Sequence, residues 1–146
     1  MLVRALSEDA DRHLVTLTDH ALLIDAAALL HTGTDLVVVC AADGRMAGVI
    51  SKTDVVDQIS HCEGASCTCA VSVVMTRQVL SCRLDDDLFS LWTEMKHRGL
   101  KNVPLLDAEM RPRGIVTARA ALQVLLKESE QEEELLRDYV MGFGYR

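Results

Sequence analysis

The sequence predicts an α/β fold made of two tandem βαββα units, packed as a pseudo-twofold pair, with an extended helix at the C-terminal end. Three observations predict it. The 146 residues are 49% apolar and only 3% aromatic, so the core must come from Val, Leu, Ile, Ala and Met. Short aliphatic runs bounded by turn residues alternate with stretches of helical periodicity. The pattern of the first half also returns in the second, with Gly48 matching Gly114 and Ser51 matching Thr117, 66 residues apart.

Each unit opens on a lead-in and a first strand. Val3–Leu6 and then Leu14–Leu17 resemble Val71–Met75 and then Val79–Cys82. A helix follows in each: Leu22, Leu23, Ala26, Ala27, Leu29 and Leu30 in the first, Leu88, Leu91, Trp92 and Met95 in the second. Asp19 and one of Asp85–Asp87 are the expected N-caps. Thr32-Gly33 and Arg98-Gly99 are the expected stops. Buried strands come next, Leu36–Cys40 and Asn102–Leu106. Pro104 marks the latter as an edge strand or as starting there, because proline has no N–H for a ladder. After polar turns at Asp43-Gly44 and Asp107–Met110, strands Met46–Ser51 and Arg113–Thr117 run into helices carrying Val55, Val56 and Ile59, and Leu122, Leu125 and Leu126. The expected divisions are 1–61, a Cys-containing linker 62–70, 71–126, and an acidic helix and tail 127–146. Neither unit is large enough to bury its apolar face alone, so the two should pack together.

The formal net charge of −7 disfavours a general nucleic-acid binder, which needs basic surface. No apolar run is long enough for a bilayer, and the start lacks the apolar segment of a signal peptide. The expectation is a cytoplasmic protein with no membrane partner. No nucleophile–base set or phosphate-cradling glycine loop is present in the sequence, so no enzymatic activity is expected.

The repeated residues resemble a CBS-domain pair, also called a Bateman module. Each half ends in Gly-aliphatic-x-[Ser/Thr], as GVISKTD at Gly48–Asp54 and GIVTARA at Gly114–Ala120, and the second half adds VPLLD at Val103–Asp107. The resemblance spans Val3 to Leu126. It implies a regulatory sensor that binds an adenosine-containing nucleotide between the repeats, forms a homodimer and signals to a protein effector. It requires no cofactor.

Read on its own residues, GVISKTD has the parts of a nucleotide site. Gly48 admits a close neighbour, backbone or ligand. Val49 and Ile50 are candidates to flank a base. Ser51 stands at a helix start, where N–H groups and the dipole favour phosphate. Asp54 is placed to accept from ribose hydroxyls. The same Ser-x-x-Asp is also a capping box, which stabilises the helix with no ligand. In the second unit Thr117 is kept, but Ala120 replaces the acid and Arg119 is left to meet a phosphate. The expectation is one competent site around Asp54 and a weaker second one at Thr117 and Arg119. By the resemblance, the first site also takes Val79 and Leu80 from the opposite repeat, with Lys101 as a phosphate partner.

Between the repeats, His61, Cys62, Cys67 and Cys69 offer soft ligands for zinc at a spacing unlike the standard fingers. A Cys62–Cys67 disulfide and free thiols are the rival readings. Cys40 and Cys82 read as buried small hydrophobes. Leu135–Val140, with Phe143 and Tyr145, is the expected dimer or partner tip.

Overall fold

The computed structural model describes residues 1–31, 33–61 and 68–144. A 3-10 turn at Val3–Leu6 runs into α1 (Ser7–Arg12), followed by β1 (Thr16–Thr18), α2 (Leu23–Leu29), β2 (Leu36–Cys40), β3 (Met46–Ser51) and α3 (Lys52–Ser60). The second half contains α4 (Val71–Val74), α5 (Leu88–Arg98), β4 (Asn102–Leu106), β5 (Pro112–Thr117) and α6 (Ala118–Gly144).

The repeat is exact in its hairpins. In the first unit Leu36 faces Ser51 and Val39 faces Gly48, with an irregularity between Val39 and Cys40. In the second Asn102 faces Thr117 and Leu105 faces Gly114, with the irregularity between Leu105 and Leu106. The turns match as well. Gly44 has φ +86 and its counterpart Met110 has φ +65, a left-handed conformation that glycine adopts freely and methionine does not.

The first strands differ. β1 pairs in parallel with β2, and Val38 N–H donates to Val15 C=O at 2.9 Å. The expected strand at Val79–Cys82 is instead a single bridge, Cys82 to Leu105. The reason is Pro104, which stands where Val38 stands in the first unit and has no N–H to offer Leu80 C=O. Pro104 is the third residue of β4, not its first. β4 is the edge of a two-stranded sheet, as the missing donor requires.

The lead-ins are exchanged between the units. Val3, Leu6 and Ala10 pack with Leu88, Leu91, Met95, Val103 and Val116 of the second unit. Val71 and Met75 pack with Leu23, Ala26, Val39 and Ile50 of the first. Backbone bonds fix both crossings: Val3 N–H to Asp86 C=O and Leu88 N–H to Met1 C=O at one, Leu23 N–H to Cys69 C=O and Val71 N–H to Ala21 C=O at the other. Val38, Val49 and Ile115 are buried together where the two units meet.

Two helix ends differ from expectation. The N-cap of α2 is Leu22, whose N–H donates to the Asp25 carboxylate at 3.0 Å, not Asp19. Asp19 ends β1 instead, its N–H on Cys40 C=O. α2 stops at Leu29, before Gly33, and Thr32 lies outside the described residues. For α5 the expectations hold, with Asp87 accepting from Ser90 N–H at 2.9 Å and Gly99 left-handed at φ +68. α6 is one 27-residue helix with no break at 126, about 40 Å long at ~1.5 Å per residue.

Candidate functional site

β3 and β5 each end on a hydroxyl residue that starts a helix. Ser51 is extended (φ −107°, ψ 170°) and caps α3. Its Oγ accepts from Asp54 N–H at 3.3 Å, while Ser51 N–H donates to the Asp54 carboxylate at 2.9 Å. Both halves of the capping box are therefore formed. Thr117 Oγ1 accepts from Ala120 N–H at 3.1 Å, and Ala120 has nothing to return.

Leu36 and Asn102, the first residues of β2 and β4, line the cavities beside both helix starts and form a seam between them. A cleft opens on each side of it. The inner part of the first cleft holds about 280 Å³ between Val49 and Ser51 of β3, Val79 and Leu80, and Leu100 and Asn102 of the second unit. Its outer part reaches Lys52 and Thr53 at the α3 start and Lys101 across the seam. The second cleft, about 290 Å³, lies between Thr117, Ala118 and Arg119 on one side and Thr34, Asp35 and Leu36 on the other, with His13 and Lys101 at its walls.

Of the residues singled out from the sequence, Val49, Ser51, Val79, Leu80 and Lys101 line the first cleft. Ile50 does not: it is wholly buried among Leu23, Ala26 and Val55. Neighbours in a strand face opposite ways, so Val49 and Ile50 cannot share one wall. Gly48 lies beneath Thr76 and Met75; a Cβ there would come within 2.7 Å of Thr76 C=O. Its missing side chain admits the backbone that crosses from the second lead-in, where Thr76 and Val49 exchange N–H···O=C bonds of 2.9 and 3.0 Å. Asp54 is half-buried at its cap and is not among the residues lining either cleft. Thr117 and Arg119 line the second cleft.

Sequence reasoning missed Leu36, Thr76, Gln78, Leu100 and Asn102 in the first cleft, and His13, Thr34 and Asp35 in the second. The offset carries the signal. Leu36 matches Asn102 and Asp35 matches Lys101, so any site at the seam draws on both members of each pair.

The seam is locally basic in an acidic chain. Lys52 Nζ donates to the Asp35 carboxylate at 2.9 Å, which neutralises both. Lys101 enters no ion pair among the described residues, and neither does Arg119. Arg98, at the first cleft, is held by Glu94.

The linker residues are only partly described. His61 closes α3, its Nδ1 donating to Asp57 C=O at 2.7 Å. Cys69 is a free, partly buried thiol against the first-unit core. Cys62 and Cys67 lie outside the described residues. Among those described, no three His, Cys, Asp or Glu side chains stand together as a metal site. Cys82 is buried, and burial first, then the Asp86 charge, pushes its thiol up to about 12. Burial also raises Cys40. The side chains of Leu135, Tyr139, Val140 and Phe143 lie outside the described residues, as does Tyr145. No helix among the described residues is long and apolar enough to cross a membrane.

A family model described as CBS domain matches the chain twice, over residues 3–61 and 71–127. A CBS-domain containing protein from Agrobacterium tumefaciens superposes with a TM-score of 0.72 at 27% identity, over 85% of this chain and 98% of that one. The CBS domain pair of protein MJ0100, in complex with 5′-methylthioadenosine and S-adenosyl-L-methionine, gives 0.70 at 20% identity, over 88% and 98%. The cytosolic domain of the Mg²⁺ channel MgtE, in complex with ATP, gives 0.65 at 23% identity, over 77% and 45%. No curated protein sequence matches the chain.

Proposed function

The chain belongs to the CBS-domain family, and from that premise we propose that it is a non-enzymatic sensor taking an adenosine-containing nucleotide into its first cleft. CBS-domain pair proteins are regulatory. Two similar structures hold ligands of this class, 5′-methylthioadenosine with S-adenosyl-L-methionine in one and ATP in the other.

The observation that carries the reading is the composition of the first cleft. Val49, Val79, Leu80 and Leu100 make aliphatic walls suited to a purine face, and Ser51, Asn102 and Lys101 stand at the rim. Ser51 keeps a hydroxyl proton to donate, because its Oγ accepts from Asp54 N–H. The Lys52 and Thr53 N–H groups at the α3 start, with the free Lys101 ammonium, favour the phosphate. Asp54 is a positioning residue in this reading: it holds Ser51 at the strand end through the capping box. The second cleft, at Thr117 and Arg119, has no counterpart of the Val79 and Leu80 wall in its lining and is the poorer nucleoside site.

Two units sharing one cleft give the sensor its output. A ligand touching both biases their relative placement only as far as it binds one arrangement better. We assign the output to a protein effector in the cytoplasm. A homodimer is supported by Ile24, Val56, Ile59 and Val73, which stand exposed on the neighbouring helices α2, α3 and α4.

The test is calorimetry of AMP, ADP, ATP, S-adenosylmethionine and NAD against the wild type and Val79→Glu. One of these binds the wild type saturably, and the charge on the apolar wall removes that binding while circular dichroism stays native. If none binds, the capping box is the whole role of Ser51 and Asp54, and the module is an interaction scaffold.

A further inference from the structure

We propose that Asp35 is a specificity-determining residue of the first cleft, turning it toward adenosine ligands that carry one phosphate or none and away from polyphosphates. The inference rests on the nucleotide reading of that cleft and adds the charge class of its ligand.

The hairpin register puts an acid at this wall. In the first unit Leu36 faces Ser51, so the residues just outside the hairpin, Asp35 and Lys52, stand opposite one another. They pair, Lys52 Nζ donating to the Asp35 carboxylate at 2.9 Å. In the second unit Asn102 faces Thr117, and the same two positions hold Lys101 and Ala118. Alanine offers Lys101 no partner, and Lys101 enters no ion pair among the described residues. The repeat thus sets a carboxylate and an ammonium at matching positions, and both line the outer part of the first cleft beside Lys52 and Thr53.

Net charge then decides which ligand fits. Arg98 is held by Glu94 and Lys52 by Asp35, which leaves Lys101 as the uncompensated cation of this lining. A phosphate monoester carries about 1.5–2 negative charges near pH 7, so a single such group already satisfies what the cleft offers. Each further phosphate meets the Asp35 carboxylate with no cation left to offset it. The alternative is to draw Lys52 away, which leaves Asp35 bare on the same wall. Asp35 and Lys52 are both exposed, so their pair is weak and the result is a graded preference, not exclusion. The inner part of the cleft, with Val49, Val79 and Leu80, carries the nucleoside independently of this charge.

The experiment is calorimetry of adenosine, AMP and ATP, without magnesium, against the wild type, Asp35→Asn and Lys52→Met. The wild type is expected to bind AMP more tightly than ATP. Asp35→Asn should tighten ATP about fivefold and Lys52→Met weaken it about fivefold, the effect of one screened unit charge in each direction, while adenosine moves by less than about twofold. Both variants break the same ion pair, so a merely structural role would move ATP the same way in both. Added salt should shrink the ATP differences and leave adenosine unmoved. ATP binding the wild type as tightly as AMP, or unchanged ATP affinity in Asp35→Asn, overturns the proposal, while adenosine and AMP binding would leave the nucleotide reading standing. If none of the three binds any of these proteins, the cleft is no nucleotide site and the proposal falls with that reading.

Discussion

Replacing Gly114 with Ala should break the exchange of lead-ins. A Cβ on Gly114 would lie 2.6 Å from the carbonyl carbon of Ala10, 2.7 Å from its Cβ and 2.8 Å from its carbonyl oxygen. Ordinary contact begins at 3.4 Å, so α1 must move away from β5 by about 0.8 Å. The neighbour is helix backbone and has no side-chain rotation to give. Overpacking of this kind costs roughly 1–3 kcal/mol. If α1 lifts off altogether, Val3 and Leu6 lose their cover as well, at roughly 1.5–3 kcal/mol each as an upper bound. The expected loss therefore runs from about 1–3 kcal/mol if α1 only shifts to about 3–6 kcal/mol if it lifts off, a large part of the ~5–15 kcal/mol of a typical domain. Gly99→Ala is the control, since Gly99 has φ +68 and no atom within 4 Å of the added Cβ. Its cost should be only the left-handed penalty, about 1–2 kcal/mol. Urea unfolding followed by circular dichroism gives both values. Equal costs in the two variants would refute the packing of α1 on β5, and with it the exchanged lead-ins.

Three further outcomes follow from the differences between the repeats. Pro104→Val restores the N–H that Val38 supplies in the first unit, so amide 104 should become protected from hydrogen exchange. Stability should change by less than about 1 kcal/mol, because the new bond offsets the lost rigidity of proline. Met110→Gly removes a left-handed methionine at φ +65 and should raise stability by about 0.5–1 kcal/mol in urea unfolding. Cys82, buried and pushed up to about 12, should resist iodoacetamide at pH 8 in the native protein and react on unfolding. The unfolded thiol ionises first, so its share of stability is whole below the ordinary thiol pKa and is lost as pH rises toward about 12.

The hairpins were legible because strand register and the 66-residue offset are both local properties. Gly48 with Gly114 and Ser51 with Thr117 carry them without help from the rest of the chain. The exchange of lead-ins was not legible. Val3–Leu6 is equally apolar whichever unit it covers, and only the close approach at Gly114 and Gly48 decides. The reduction of the second unit's first strand to one bridge was written in Pro104, but it needed the partner Leu80 to be interpretable. Ile50 was readable from strand alternation, which sends it opposite to Val49. Leu36, Leu100 and Asn102 were missed because they look like ordinary strand starts, and their role comes from the seam that only packing creates. Asp54 fitted both a ribose contact and a cap; the capping box is formed in full.

The most direct test of the account is an amide shift map of the protein titrated with AMP. Nucleotide in the first cleft predicts saturable shifts at Val49, Ser51, Val79, Leu80, Leu100 and Asn102, with Ala118 and Ala120 little changed. Shifts concentrated at Thr117–Ala120 instead, or none at saturating concentrations of AMP and of the other adenosine ligands, would contradict it.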